Sequence, residues 1–347
     1  MENTYFYRVK QQTPTGMWIN NVTQKEAQMA INAGASGCTQ NPSYVWKMLN
    51  HPDNSAHTKL LLKKLISEYE DDNKVVVALQ RELVKEIADI FLPMYQQSKG
   101  KAGFVSIQGD PFHEDAETII EAARFNREAA PNIMAKVPVT VNGLKAIEVL
   151  ATERVPINAT EVMSLRQALD VLEVYQKVTQ KLENPAPLYF SHIAGIFDEY
   201  IRQYAQDIGV DVPEDYLWQA GIAVAKKIDQ VLREKNSTMG FISGGARGLH
   251  HYTEMVGCEC VITINWLGTA DKLLEQNPPV IQRFIQPTPC SVIDTLLEKL
   301  PDFRKAYEIN AIEPHEYEEY GPVALFRKSF EDAWKNALNL TKQLREK

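Results

Sequence analysis

Gly103-Phe104-Val105-Ser106-Ile107-Gln108, then an amphipathic run over Glu114–Ala130, then Ile133-Met134-Ala135-Lys136-Val137-Pro138-Val139: this stretch reads strand, helix, strand. Two short apolar strands joined by a helix-length crossover lie parallel in one sheet. The pattern repeats in both directions. Candidate strands Met17–Asn20, Gly37–Asn41, Pro156–Thr160, Leu188–Ile193, Met239–Gly244 and Val261–Asn265 bring the count to eight. Helix patterns at Thr23–Ala33, Gly143–Ala151, Leu165–Leu182 and Asp215–Glu234 fall between them. Eight such units predict an α/β fold closed into a (β/α)8 TIM barrel. No glycine-rich dinucleotide fingerprint follows the first strand, which argues against an open doubly wound sheet.

Two stretches exceed a minimal barrel. Ser55–Gln97, between the second and third strands, reads as two helices. The tail beyond Pro287 is helical, and Pro322–Lys347 carries Val323, Phe326, Phe330, Trp334 and Leu338 at helical spacing. An apolar stripe of that kind must cover apolar surface. No Pro/Gly/Ser linker precedes it, so residues 1–347 are expected to form a single barrel domain with a C-terminal helical extension, about 288–347, packed on the barrel.

Composition narrows the partners. The chain has 347 residues, 44% of them hydrophobic, and a net charge of −8, so nucleic acid and anionic membranes are poor partners for the whole surface. Met1–Thr15 lacks the apolar core of a signal peptide, and no stretch reaches the roughly 18 residues needed to span a bilayer. A cytoplasmic location is expected. Of the four cysteines, Cys258 and Cys260 share a face while Glu259 points away, so they read as buried reduced thiols and no metal is expected.

In such a barrel the active groups gather at the C-terminal ends of the strands. With period two, Met134, Lys136 and Pro138 share one face, and the all-apolar set Ile133, Ala135, Val137 and Val139 suits the helix layer. Lys136 is therefore expected inside the barrel. There desolvation lowers its pKa and raises the fraction of nucleophilic amine, as Schiff-base chemistry requires. A lysine paired with a buried carboxylate, or one snorkelling from a strand end, is the structural alternative. Other inferred strand ends are polar too: Asn20 and Asn21, Thr39 to Ser43, Gln108, Asn158 and Thr160, and Ser191 with His192. Any one of these could be a cap; six polar strand ends around a lysine point to a site. Ser243-Gly244-Gly245-Ala246-Arg247-Gly248, with an amphipathic segment after it, is a candidate phosphate or sulfonate cradle, with a tight turn and a surface arginine as the alternative.

Five segments occurring in order carry a resemblance: Trp18-Ile19-Asn20-Asn21, Gly37-Cys38-Thr39-Gln40-Asn41-Pro42-Ser43, Val105-Ser106-Ile107-Gln108-Gly109-Asp110-Pro111, Ala135 through Ile147, and Ile157-Asn158-Ala159-Thr160. Together they resemble the transaldolase family, including its fructose-6-phosphate aldolase branch, from about Trp18 to Ile264. The resemblance implies a class I enzyme that moves a three-carbon dihydroxyacetone unit from a ketose, expected as the phosphate, to an aldehyde. It implies Lys136 as nucleophile, Thr160 holding a water, Asn41 and Asn158 on donor hydroxyls, Ser191 beside the enamine and Arg247 on phosphate. Thr39, Ser43 and Gly245 belong to the same matched substrate-binding positions. No cofactor is implied, and homo-oligomers are usual in the family. Four positions depart from the pattern. Asn20 replaces the first-strand aspartate, Gln108 the third-strand glutamate, Ile196 an arginine, and Gly245 a serine. An amide cannot serve as a general base, so His192 and Glu161 are candidate proton carriers. Their structural alternatives are a hydrogen-bonded strand-end histidine and a solvated loop carboxylate. Gln108 also occurs in the aldolase branch and favours release of free dihydroxyacetone; a barrel that binds sugar phosphate without turnover is the remaining alternative.

Overall fold

The computed structural model describes residues 4–346. Eight strands, β1 (Gly16–Asn20), β2 (Ala35–Thr39), β3 (Phe104–Gln108), β4 (Ile133–Pro138), β5 (Ile157–Val162), β6 (Leu188–His192), β7 (Gly240–Ser243) and β8 (Val261–Asn265), close into a parallel barrel in sequence order. β8 returns to pair with β1. Helices fill the crossovers, so this is a (β/α)8 TIM barrel with extra helices.

Local chemistry explains where the helices start. Thr23 and Ser164 each close a capping box, with Glu26 and Gln167 respectively. Asp115 accepts from the Thr118 amide, which starts the helix after β3 at Ala116 instead of Glu114. The run expected as one helix over Asp215–Glu234 is broken at Trp218 into Glu214–Leu217 and Ala220–Glu234. The break lets the Gly221 amide reach Asp198 Oδ1, and a Cβ there would lie 2.4 Å from the Ala194 carbonyl oxygen. The helix Tyr5–Gln12 has no counterpart among the expected elements. It is short and carries its buried residues at only Tyr5, Phe6 and Val9, too few for a clear period.

Ser55–Glu68 and Asp72–Gln97 are the two helices expected after β2. The C-terminal helix Gly321–Arg345 packs against the second of them and against Ser43–Asn50 and Ala194–Asp207. Trp334 Nε1 donates to Asn73 Oδ1 at 2.8 Å, and Arg345 Nε to Asp72 Oδ1 at 2.8 Å. These anchors lay the helix across the C-terminal end of the barrel, where Phe326, Ser329 and Phe330 face a cavity. No helix among the described residues is long and apolar enough to cross a membrane.

Candidate active site

β4 turns Lys136 into the barrel. The strand ends at Pro138, and Thr140 accepts from the Gly143 amide at 3.0 Å to start the next helix. Glycine is required there, because a Cβ on Gly143 would stand 1.7 Å from the Pro138 carbonyl oxygen. Lys136 is 7% exposed. Burial lowers its pKa to about 8, against the opposing pull of Glu161. Among the described residues its amine has no hydrogen-bond or ion-pair partner, and the Phe330 ring centroid lies 5.9 Å from Nζ. The paired-lysine alternative therefore lacks its partner.

Above the lysine lies a cavity of about 450 Å3. Of the residues anticipated from sequence, Asn20, Thr39, Asn41, Ser43, Lys136, Thr160, Ser191, Gly245 and Arg247 line it. Its size suits a small polar molecule. Asn20 Oδ1 accepts from Thr39 Oγ1 at 2.9 Å, and Asn20 Nδ2 donates to Asn265 Oδ1 at 3.0 Å. Asn41 Oδ1 accepts from Asn21 Nδ2 at 2.9 Å and from the Ser43 amide at 3.1 Å. Ser43 Oγ in turn donates to the Ser329 carbonyl at 3.4 Å, tying β2's exit to the C-terminal helix. This part of the wall is thus made of amides and hydroxyls held by one another, a surface that matches a polyol.

Gln108, Asn158 and His192 do not line this cavity. Asn158 sits one layer deeper, accepting from Ser191 Oγ at 2.6 Å, so it orients the serine. His192 as a proton carrier is corrected by its surroundings. It is fully buried, and its Nδ1 and Nε2 lie 2.9 Å and 3.0 Å from the carbonyls of Val162 and Gly221. A neutral ring donates to one of these carbonyls while its other nitrogen faces the second, so both nitrogens are enclosed by backbone away from the cavity, and burial lowers the pKa. Glu161 departs from its solvated-loop alternative just as clearly. It is fully buried, and its Oε1 accepts from Gln108 Nε2 at 2.9 Å.

The anion cradle is also modified. Only four helical residues, His250–Thr253, follow the Gly245–Gly248 turn, so no long helix after this turn adds its dipole to the cradle. Arg247 reaches the rim, but its Nε donates to Glu199 Oε2 and its side chain is 46% exposed. Ile196 is buried, with its Cγ1 lying 3.0 Å from where a Cβ on Gly245 would stand. Sequence reasoning overlooked Lys47, Thr263, Asn265 and the aromatic cover from the C-terminal helix, all of which line the cavity. Thr263 and Asn265 share β8's inward parity and were legible. Lys47 was not: helical spacing does not show that its Nζ would donate to the Asn21 carbonyl at 2.6 Å.

Among the described residues one cluster offers metal-type ligands, Asp198 with His250 and His251. The donor directions argue against an ion. His251 Nδ1 accepts from the Arg247 amide at 3.3 Å, so its Nε2 carries the proton and donates to Asp198 Oδ2 at 2.9 Å. A metal on Nε2 would move that proton to Nδ1 and oppose two donors. The cluster instead works as a hydrogen-bond chain that steadies the Arg247 loop.

Fold and site together define a class: a (β/α)8 barrel with a desolvated lysine at a strand end beneath a polyol-sized polar cavity. The pattern of the Transaldolase/Fructose-6-phosphate aldolase family matches residues 17–334, and the chain belongs to that family. It is 27% identical over 247 residues to a transaldolase of Thiobacillus denitrificans, across 67% of this chain and 68% of that protein. Against two transaldolases of Helicobacter pylori the identity is 28% over 225 residues and 30% over 200. Those matches cover 62% and 55% of this chain and 65% and 56% of the relatives. The matched stretch thus spans between about half and two thirds of each relative's length. The chain is an enzyme of the transaldolase and aldolase class.

Proposed function

We propose that the chain is a class I, Schiff-base enzyme in which Lys136 condenses with the carbonyl of a ketose bearing a dihydroxyacetone-like end. One observation carries this: a buried lysine amine inside the barrel with no partner, its pKa lowered to about 8. In such a cycle the Nζ lone pair attacks C2, water leaves, and the iminium draws the C3–C4 bonding electrons as the C4 hydroxyl loses its proton. The enamine then adds to an aldehyde acceptor. Asn20, Thr39, Asn41 and Ser191 present hydroxyl and amide partners for the donor's hydroxyls, and Lys47 and Arg247 are the other cations on the cavity wall. With Arg247 shared by Glu199, a phosphate is held more loosely than a pair of free arginines would hold it.

Borohydride trapping with dihydroxyacetone or fructose 6-phosphate, followed by peptide mass spectrometry, tests the proposal; the adduct is expected on Lys136. An unmodified Lys136 across a panel of ketoses would end it. A second reading follows from the cavity wall, which has no carboxylate among the described residues: binding and imine formation without turnover. Steady-state turnover with and without an acceptor aldehyde separates transfer, release of free dihydroxyacetone and mere binding.

A further inference from the structure

Among the described residues no carboxylate lines the cavity, yet two lie close behind its wall, and one is held there by an irregular strand. Regular alternation would turn the residue after Thr160 toward the helices. Instead, the pairing of β5 with β6 slips between Ala159 and Val162, and Glu161 takes φ +63°. Such a bulge re-aims a side chain, and a non-glycine residue persists in that conformation only where its surroundings demand it. The Glu161 side chain reaches across β4 to Gln108 of β3. From there Gln108 Nε2 also approaches Glu114 Oε1 at 3.3 Å, and Glu114 Oε2 lies 2.9 Å from Arg327 Nη2 of the C-terminal helix. Arg327 Nη1 lies 3.9 Å from Glu318. Six atoms in this nest are buried with no hydrogen-bond partner: Glu161 Oε2, Gln108 Oε1, Thr160 Oγ1, Glu114 Oε2, and Arg327 Nε and Nη2, the Glu114–Arg327 contact being an ion pair without hydrogen-bond geometry.

We propose that Glu161 is the proton store for the lysine chemistry, a positioning residue that supplies the carboxyl the cavity wall lacks. The inference rests on Lys136 being the Schiff-base lysine. Thr160 lines the cavity and precedes Glu161 in the chain; its Oγ1 and Glu161 Oε2 both lack a protein partner, and in the proposal a water joining the two is the step between store and substrate. The neutral amine of Lys136 adds to ketose C2, and its proton moves to the former carbonyl oxygen. Glu161, protonated, then delivers its proton by way of Thr160 to that hydroxyl, the C–O bond breaks and water departs. An iminium remains opposite a Glu161 carboxylate, and hydrolysis runs the steps backward and returns the proton. The groups that face Glu161 are Lys136 of β4, Gln108 of β3, Glu114 of the loop after it, and Arg327 and Glu318 from the C-terminal region. Burial raises the pKa of the carboxyl, against the pull of Arg327, Gln108 and Lys136, which favours the protonated form.

The rate of borohydride trapping at Lys136 is the readout, taken for each variant at its own pH optimum so that a simple electrostatic shift of the lysine drops out. Wild-type protein that cannot be trapped at Lys136 refutes the underlying Schiff-base reading. Given trapping in the wild type, Glu161→Gln is expected to slow it by about 10²-fold or more, with ketose affinity changed only a few-fold. The exchange variant Gln108→Glu/Glu161→Gln keeps a hydrogen-bonded carboxyl–amide pair and is expected to recover at least tenfold. A Glu161→Gln rate within a few-fold of wild type overturns the store. Should that variant not fold, difference infrared spectroscopy of the wild type decides. Ketose addition must convert a protonated carboxyl band into a carboxylate band, and an unchanged spectrum overturns the proposal.

Discussion

At the N-terminal end of the barrel Trp18, Phe104, Met134 and Ile242 close on one another, with Tyr189 and Val261 packed against them. Two residues further along those strands the same inward parity delivers Asn20, Lys136, Ser191, Gly244 and Thr263 to the cavity wall. The floor is an aromatic and aliphatic plug; the mouth is amide, hydroxyl and amine. The floor is packed to contact: the Trp18 and Tyr189 rings lie 5.5 Å apart, and a Cβ on Gly240 would stand 2.2 Å from the Tyr189 ring. At the mouth, buried polar atoms are left without protein partners. An inward position therefore stabilises the fold at one end of a strand and is withheld from that task at the other.

The sharpest way to break this division is at Lys136. Lys136→Met keeps the stem and removes the amine, and turnover is expected to fall by at least about 10⁴-fold. Its stability should move the other way. The folded lysine has its pKa lowered from 10.5 to about 8, so the desolvation cost is fully present below about pH 8. It is relieved as pH rises toward 10.5, because only the unfolded chain binds the proton in that window. Denaturant titrations should show Lys136→Met ahead of wild type below pH 8 and the gap closing above it. A variant less stable than wild type at pH 6 would mean that the lysine belongs to the packing.

At the floor the expectation reverses. Gly240→Ala forces a methyl into the Tyr189 ring and should lower stability by about 1–3 kcal/mol. The folded fraction should still trap ketose at the wild-type rate. Smaller still is the effect expected at the seam between the two regions. Glu161→Gly and Glu161→Ala both delete the buried side chain and slow the chemistry, but only glycine relieves the left-handed backbone, so the glycine variant should be the more stable of the two by about 1 kcal/mol. Equal melting temperatures for the two variants would show that the bulge carries no strain.

Much of this is legible in the sequence. The eight strands emerge from short apolar runs, and their observed ends differ from the expected ones by a residue or two, as at β4, which stops at Pro138 instead of Val139. Lys136 stood out because a lone cation on one face of an apolar strand has few structural reasons to be there. His192 was misjudged because parity gives direction and not depth: it lies among backbone carbonyls beyond the cavity wall. The solvated-loop alternative for Glu161 fails because β5 runs on to Val162, two residues past the end expected at Thr160, and an irregularity there turns the side chain toward Gln108.

What the sequence determined by itself is whatever a local period encodes: strand and helix order, the closed barrel that eight βα units imply, and the inward lysine. Tertiary structure alone decided which inward groups are wetted, how Glu161 turns toward Gln108, and that Phe330 and Arg327, nearly two hundred residues beyond β4, cover the lysine and brace its acidic neighbours. The physical reason is range. Periodicity is set by backbone geometry over a few residues, whereas desolvation and charge pairing are set by whatever the rest of the chain brings within a few ångströms.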